Sequence, residues 1–111
     1  MAWYMNTDGY FSAVQNRDDH DTLLIRARRR DDLERLNGHL NKPCSILEWI
    51  GADYPYRIIL KKTLWAKYVA YMAMNIDYGN FKACIPIGDY SKERAYHNVW
   101  LALMELEEEK Y

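Results

Sequence analysis

Few stretches of this chain hold residues that could do chemistry, and Asp18-Asp19-His20-Asp21 is the nearest to a metal site. Three carboxylates and an imidazole are adjacent there. Four neighbouring loop residues do not wrap one ion without further ligands, and neither EF-hand nor HxxxH spacing is present. The stretch therefore reads as a solvated turn. Cys44 and Cys84 form no CxxC pair and read as reduced thiols. A nucleophile and base would have to come from Cys44, Cys84 and His97, which nothing in the sequence orients. Tyr96 and His97 stand side by side late in the chain and offer an acid and a base, although a lone helical histidine more often bonds a carbonyl. No P-loop and no GxGxxG occurs. The expectation is a protein without catalytic residues, metal or cofactor.

The arginines are more informative. RARRR covers residues 26–30, and alternation along a strand puts Arg26 and Arg28 on one face. Arg57 and Lys61 share a face on another run. If the two faces coincide, a basic sheet surface results, with Tyr10 or Tyr4 as aromatic neighbours. Such surfaces hold single strands by stacking and phosphate contacts. An RNP-type aromatic motif is missing, and the formal net charge is −1. The competing reading is an ion network of Arg26 or Arg57 with Asp53 or Asp77.

The elements that must position these residues follow from periodicity. The 111 residues suit one domain, and a composition that is 50% hydrophobic, with ten Tyr and four Trp, suffices for a core. Residues 3–7 and 10–15 flank Asp8-Gly9 and read as a hairpin with a type I′ turn. TLLIRAR (22–28) alternates, with Leu23, Ile25 and Ala27 on one face. Asp31 and Asp32 precede Leu33, Leu36 and Leu40, so an Asp-capped helix is expected, ending near Asn37-Gly38, where Gly favours a left-handed cap, or near Leu40. SILEWI (45–50) and YRIILKK (56–62) read as strands. Thr63 then caps a helix whose apolar stripe is Trp65, Tyr68, Val69, Met72 and Ile76. Asp77 looks like the cap of a short helix containing Tyr78, Phe81 and Ile85, ended by Pro86. Ser91 opens a last helix over about 92–107, with Tyr96, Val99, Trp100, Leu103 and Leu106 inward.

This β-β-β-α-β-β-α-α-α order predicts an α+β fold: an antiparallel sheet of four to five strands, ferredoxin-like elements, helices on one face and a C-terminal helical part. The other face meets solvent or takes the C-terminal helices. No leader pattern and no apolar run long enough to span a bilayer is read, so a cytoplasmic protein without membrane contact is expected. Four glutamates and one lysine fall in residues 105–111, so the remainder carries +2. That end reads as a solvated terminus or a contact for a basic partner.

WYMNTDGYFSAV, LLIRARRRDDLERL, DYPYRI, NIDYGNFK and AYHNVW, in this order, resemble the motifs of a family of small uncharacterised bacterial and phage proteins. The resemblance covers most of the chain and implies one compact domain, with no established activity. KPCSILEW and the glutamate-rich end are outside the pattern, and Gly79 stands at a variable position of the corner motif.

The matched motifs supply the candidate binding residues: Arg26, Arg28, Arg57, Asp77, Tyr78, Asn80, Lys82, Tyr96 and His97. In the corner, Asp77 as a cap and Phe81 in the core compete with Tyr78, Asn80 and Lys82 facing a ligand. The first functional expectation is a non-catalytic protein-interaction module, a phage-type inhibitor or regulator of a host protein, with homodimerisation open. The alternatives are single-stranded nucleic-acid or nucleotide binding through the basic sheet face, and a small enzyme using Tyr96 and His97.

Overall fold

The computed structural model describes residues 1–77, 79 and 88–107. The chain divides into two compact units, Met1–Ile76 and Asp77–Tyr111. The first unit contains β1 (Ala2–Met5), β2 (Tyr10–Gln15), β3 (Thr22–Ala27), α1 (Arg30–Asn37), β4 (Leu47–Glu48), β5 (Tyr56–Lys61) and α2 (Lys62–Met74). All strand pairs are antiparallel, in the order β1-β2-β3-β5-β4. The second unit contains α3 (Tyr90–Leu103) and a closing 3-10 turn, Met104–Leu106. Among the described residues the fold is α+β, with a five-stranded antiparallel sheet and three α-helices.

Alternation explains the sheet. Phe11 and Ala13 of β2, Ile25 and Ala27 of β3, and Ile58 and Leu60 of β5 are all buried on one face. Leu33 and Leu36 of α1 and Trp65 and Tyr68 of α2 close over them in one cluster. Each fully buried large side chain contributes about 1.5–3 kcal/mol of transfer free energy. Phe11 sits at the centre, edge-on to Trp65 (6.1 Å) and Tyr68 (6.2 Å). Ser12 between Phe11 and Ala13, Arg26 between Ile25 and Ala27, and Arg57 just before Ile58 alternate to the sheet's second face.

Several local expectations need correction. The β1–β2 hairpin exists, but its turn is not type I′, because neither Asp8 nor Gly9 has a positive φ. Asn6 shapes it instead: its side-chain oxygen accepts the N–H groups of Asp8 (2.9 Å) and Gly9 (3.1 Å). Such an Asx-type bond substitutes for the turn's backbone bonds. Gly9 is required by space rather than by φ, since a Cβ there would run into the Asp32 carboxyl group.

The caps differ as well. Arg29 is the N-cap of α1 and makes no side-chain cap bond; Asp31 and Asp32 lie inside the first turn. Asp31 pairs with Arg29 (3.0 Å) and Arg35 (3.1 Å). Asp32 takes the Tyr10 N–H (3.2 Å) and Arg35 (3.2 Å) instead of capping. Gly38 ends α1 with φ −62°, not left-handed. β5 runs straight into α2, with Lys61 at the cap position and Thr63 inside the helix. The 45–50 strand shrinks to Leu47–Glu48, the two residues that pair with β5.

In the second unit the Asp89 side chain, not that of Ser91, caps α3 by accepting the Lys92 N–H (3.1 Å). Tyr96 is buried there, but Trp100, Leu103 and Leu106 are exposed rather than inward. The expected helix after Asp77 lies outside the described residues.

Candidate functional site: an arginine cluster on the second sheet face

Strand register brings the sheet-face arginines together. Trp3, Ser12, Arg26 and Arg57 stand opposite one another across β1, β2, β3 and β5. Leu47 of β4 ends this row beside Arg57. Arg28, two residues beyond Arg26, joins the cluster through Tyr54. The Tyr54 ring carries both guanidiniums, with Arg26 at 4.8 Å and Arg28 at 4.6 Å from its centroid. Arg57 lies 4.2 Å from the Trp49 centroid and is only 8% exposed.

Two like charges placed directly opposite repel. Burial lowers the affinity of Arg57 for its proton, and the Arg26 charge lowers it further. The neighbours that offset this are neutral. Arg57 donates to the Tyr54 carbonyl (3.0 Å), Arg28 to the Asp53 carbonyl (3.0 Å) and Arg26 to the Ser12 hydroxyl (2.8 Å). Cation–π contacts of this kind contribute about 0.5–2 kcal/mol each.

No carboxylate of the first unit's described residues lies within ion-pair distance of Arg26, Arg28 or Arg57. The expected ion pair of Arg26 or Arg57 with Asp53 does not form; of these three arginines only Arg28 meets Asp53, at its backbone carbonyl. The contrast with α1 is sharp: Arg29, Arg30 and Arg35 all pair with acids of their own helix. On the sheet face, the buried Nε atoms of Arg26 and Arg57 find no acceptor among the described residues. Three positive charges in neutral surroundings are suited to an anion, which would meet their outer guanidinium nitrogens and not the buried Nε atoms.

Flat apolar surface surrounds the cluster. Trp3 is 62% exposed and Trp49 58% exposed, one at each side of the row. Trp3 leans on Tyr10 at 6.3 Å. Burial, then the adjoining Tyr54, holds the Tyr10 phenol above its ordinary pKa despite the opposing Arg28 charge. The row crosses three strand spacings, about 14 Å.

The remaining sequence candidates are placed elsewhere. Asp77 opens the second unit and is exposed. Tyr78, Asn80 and Lys82 lie outside the described residues. Tyr96 is buried on α3, with the Lys92 ammonium 5.9 Å from its ring centroid. His97 is exposed and stacks on Trp100 at 5.7 Å. His20 meets Gln15 (2.6 Å) in the β2–β3 loop, and no group of three or more His, Cys, Asp or Glu among the described residues could hold a metal ion. No helix among the described residues is long and apolar enough to cross a membrane.

Sequence reasoning missed Trp49 and Ser12. Ser12 was accessible from the alternation of β2 once β2 is paired with β3. Trp49 follows Leu47 by two, the spacing that keeps both on the side of Arg57, but nothing in sequence announces that pairing. No family model matches the chain, and no curated protein and no solved structure is significantly similar to it. The functional reading therefore rests on the geometry.

Proposed function

We propose that the second sheet face binds single-stranded nucleic acid. The observation that carries this reading is the set of three arginines, Arg26, Arg28 and Arg57, left without a carboxylate among the first unit's described residues and framed by exposed Trp3 and Trp49. Arginines of this kind take phosphates, and the indoles take bases of any sequence, each stacked base adding about 1–3 kcal/mol. The distance across the row suits two or three nucleotides. Charge for this role is local, so the net charge of −1 does not oppose it.

The test is fluorescence anisotropy with a labelled single-stranded 12-mer. Two phosphate contacts, through Arg26 and Arg28, predict a log–log salt slope of about −1.4, from about −0.7 per phosphate. Arg26→Glu/Arg28→Glu should abolish binding; losing the two Tyr54 contacts should lower stability by about 0.5–2 kcal/mol each without unfolding the protein, because neither arginine is paired with an acid of the first unit. Absence of salt-sensitive binding by the wild type overturns the proposal.

A second reading is favoured by the apolar side chains beside the arginines. Ile59 is 47% and Leu47 42% exposed. Arginine and tryptophan among exposed aliphatics are also the makings of a protein interface. The chain would then be a non-catalytic cytoplasmic module that inhibits or regulates an acidic protein partner. A partner captured by the wild type and lost with Arg26→Glu/Arg28→Glu, without oligonucleotide binding, selects this reading.

A further inference from the structure

A cavity of about 540 Å³ lies in the first unit, away from the arginine cluster. One wall is a single face of α2: Leu64, Lys67, Tyr68 and Tyr71 follow three/four spacing. The opposite wall is the segment after α1, with His39, Leu40 and Lys42. This segment is held in place from behind. The Asn37 amide donates to the Cys44 carbonyl and accepts the Cys44 N–H, both at 2.9 Å. Such pairing fixes the loop as a backbone bridge would.

The histidine is fixed too. His39 Nε2 lies 3.0 Å from Asp8 Oδ2, and the same oxygen accepts the Tyr68 hydroxyl at 2.7 Å. The His39 ring packs against Tyr68 (5.5 Å) and Tyr71 (5.2 Å). The cavity thus has preset aromatic walls and aliphatic edges, Leu40 and Leu64. Its exposed charge is positive, while the Asp8 carboxylate behind its wall is engaged by His39 and Tyr68. Lys42 and Lys67 are exposed, neither pairs with a carboxylate among the described residues, and no acid is among its described lining residues.

We infer that this cavity is a binding site for a small aromatic anion, a ring bearing a carboxylate or a phosphate. The volume falls in the range of small-ligand pockets, about 300–1,000 Å³. Tyr71 and His39 take the ring, with buried Tyr68 as the floor behind them, and Lys42 and Lys67 take the anionic group. Binding here is independent of the sheet face, with which the cavity shares no named residue.

The experiment is an amide-shift NMR titration of the full chain with phenyl phosphate and with benzoate, with benzyl alcohol and inorganic phosphate as controls. Saturable shifts at Leu40, Asn41, Lys67 and Tyr71 are expected with at least one aromatic anion, about ten-fold tighter than with either control. Phenyl phosphate against benzoate identifies the anionic group. Lys42→Gln and Lys67→Gln, both exposed changes, should each weaken binding about five-fold, the effect of a solvent-accessible ion pair. Equal binding of benzyl alcohol, or no saturable shift with either anion, overturns the inference. So do shifts that survive both lysine changes and disappear with Arg26→Glu/Arg28→Glu, which place the ligand on the sheet face.

Discussion

Arg57 and Trp49 form one stacked pair, guanidinium 4.2 Å from the ring centroid, with the arginine buried and the indole half outside. Trp49 is tethered by its backbone, whose N–H donates to the Pro55 carbonyl at 2.7 Å. The ring therefore does two jobs: its inner face stabilises a buried cation, and its outer face remains available. Trp49→Ala should cost about 0.5–2 kcal/mol of stability through the lost cation–π contact. It should weaken oligonucleotide binding more, by the about 1–3 kcal/mol of one stacked base. Trp49→Phe should restore most of the stability. Urea denaturation and anisotropy on the same samples separate the two effects.

Gly9 and Asp32 compete for one space. A methyl group at Gly9 would overlap the Asp32 carboxyl, which itself holds the Tyr10 N–H at 3.2 Å and Arg35 at 3.2 Å. Gly9→Ala should destabilise the protein by about 1–3 kcal/mol, the range for overpacking. In an Asp32→Gly background, which removes the Asp32 Cβ as well as its carboxyl group, the same change should cost much less. A double-mutant cycle by chemical denaturation measures the coupling; additive effects would mean that the turn, not Asp32, opposes the methyl group.

How legible the fold was depended on whether one face of an element is buried. β2, β3 and β5 alternate because the helices cover one side, so their boundaries and inward residues were readable. β4 has no buried side: Leu47 and Trp49 are exposed, and the apolar run misled by hydrophobicity alone. The caps failed because Asp31 and Asp32 had stronger partners in Arg29, Arg35 and the Tyr10 N–H than the helix end offers. For the site, the sequence placed Arg26 with Arg28 and Arg57 with Lys61. Only the β3–β5 register, Arg26 opposite Arg57, shows that the two faces are the same one. The Asp8–Tyr68 bond joins residues sixty apart, a separation at which periodicity carries no information.

Asp31 provides a pH test. Burial pushes its carboxyl up, but the charges and hydrogen bonds of Arg29 and Arg35 together outweigh this and hold it below its ordinary value. A carboxyl depressed in the folded state binds protons more readily when unfolded. Its stabilisation is present above the unfolded pKa, about 3.9, and is lost as pH falls through the lower folded value. Asp31→Asn should therefore be less stable than wild type at pH 7, and the gap should close on acidification. Denaturant midpoints of both proteins from pH 7 downward measure this; a gap unchanged at acid pH would remove the ion pairs as its cause.

The Tyr68 hydroxyl carries the last prediction, on the alkaline side. It donates to Asp8 at 2.7 Å and accepts from the Asn6 amide at 3.0 Å, beneath the helix-covered face of the sheet. Burial raises its pKa well above the ordinary phenol value, and the hydrogen bond and charge of Asp8 raise it further. The neutral phenol is thus favoured by folding. Its contribution is complete below the unfolded pKa of about 10 and declines as pH rises from there toward the folded value. Tyr68→Phe leaves Asp8 with one donor fewer and should cost about 1–3 kcal/mol at pH 7, the penalty for an unmet buried polar group. Because His39 remains on the same oxygen, the low end of that range is expected. Above about pH 10 the wild type should lose stability faster than the variant, so the difference shrinks. Denaturation free energies of both proteins from pH 7 to 11 decide it, and a constant difference across that range would show that the hydroxyl acts through packing, not through its proton.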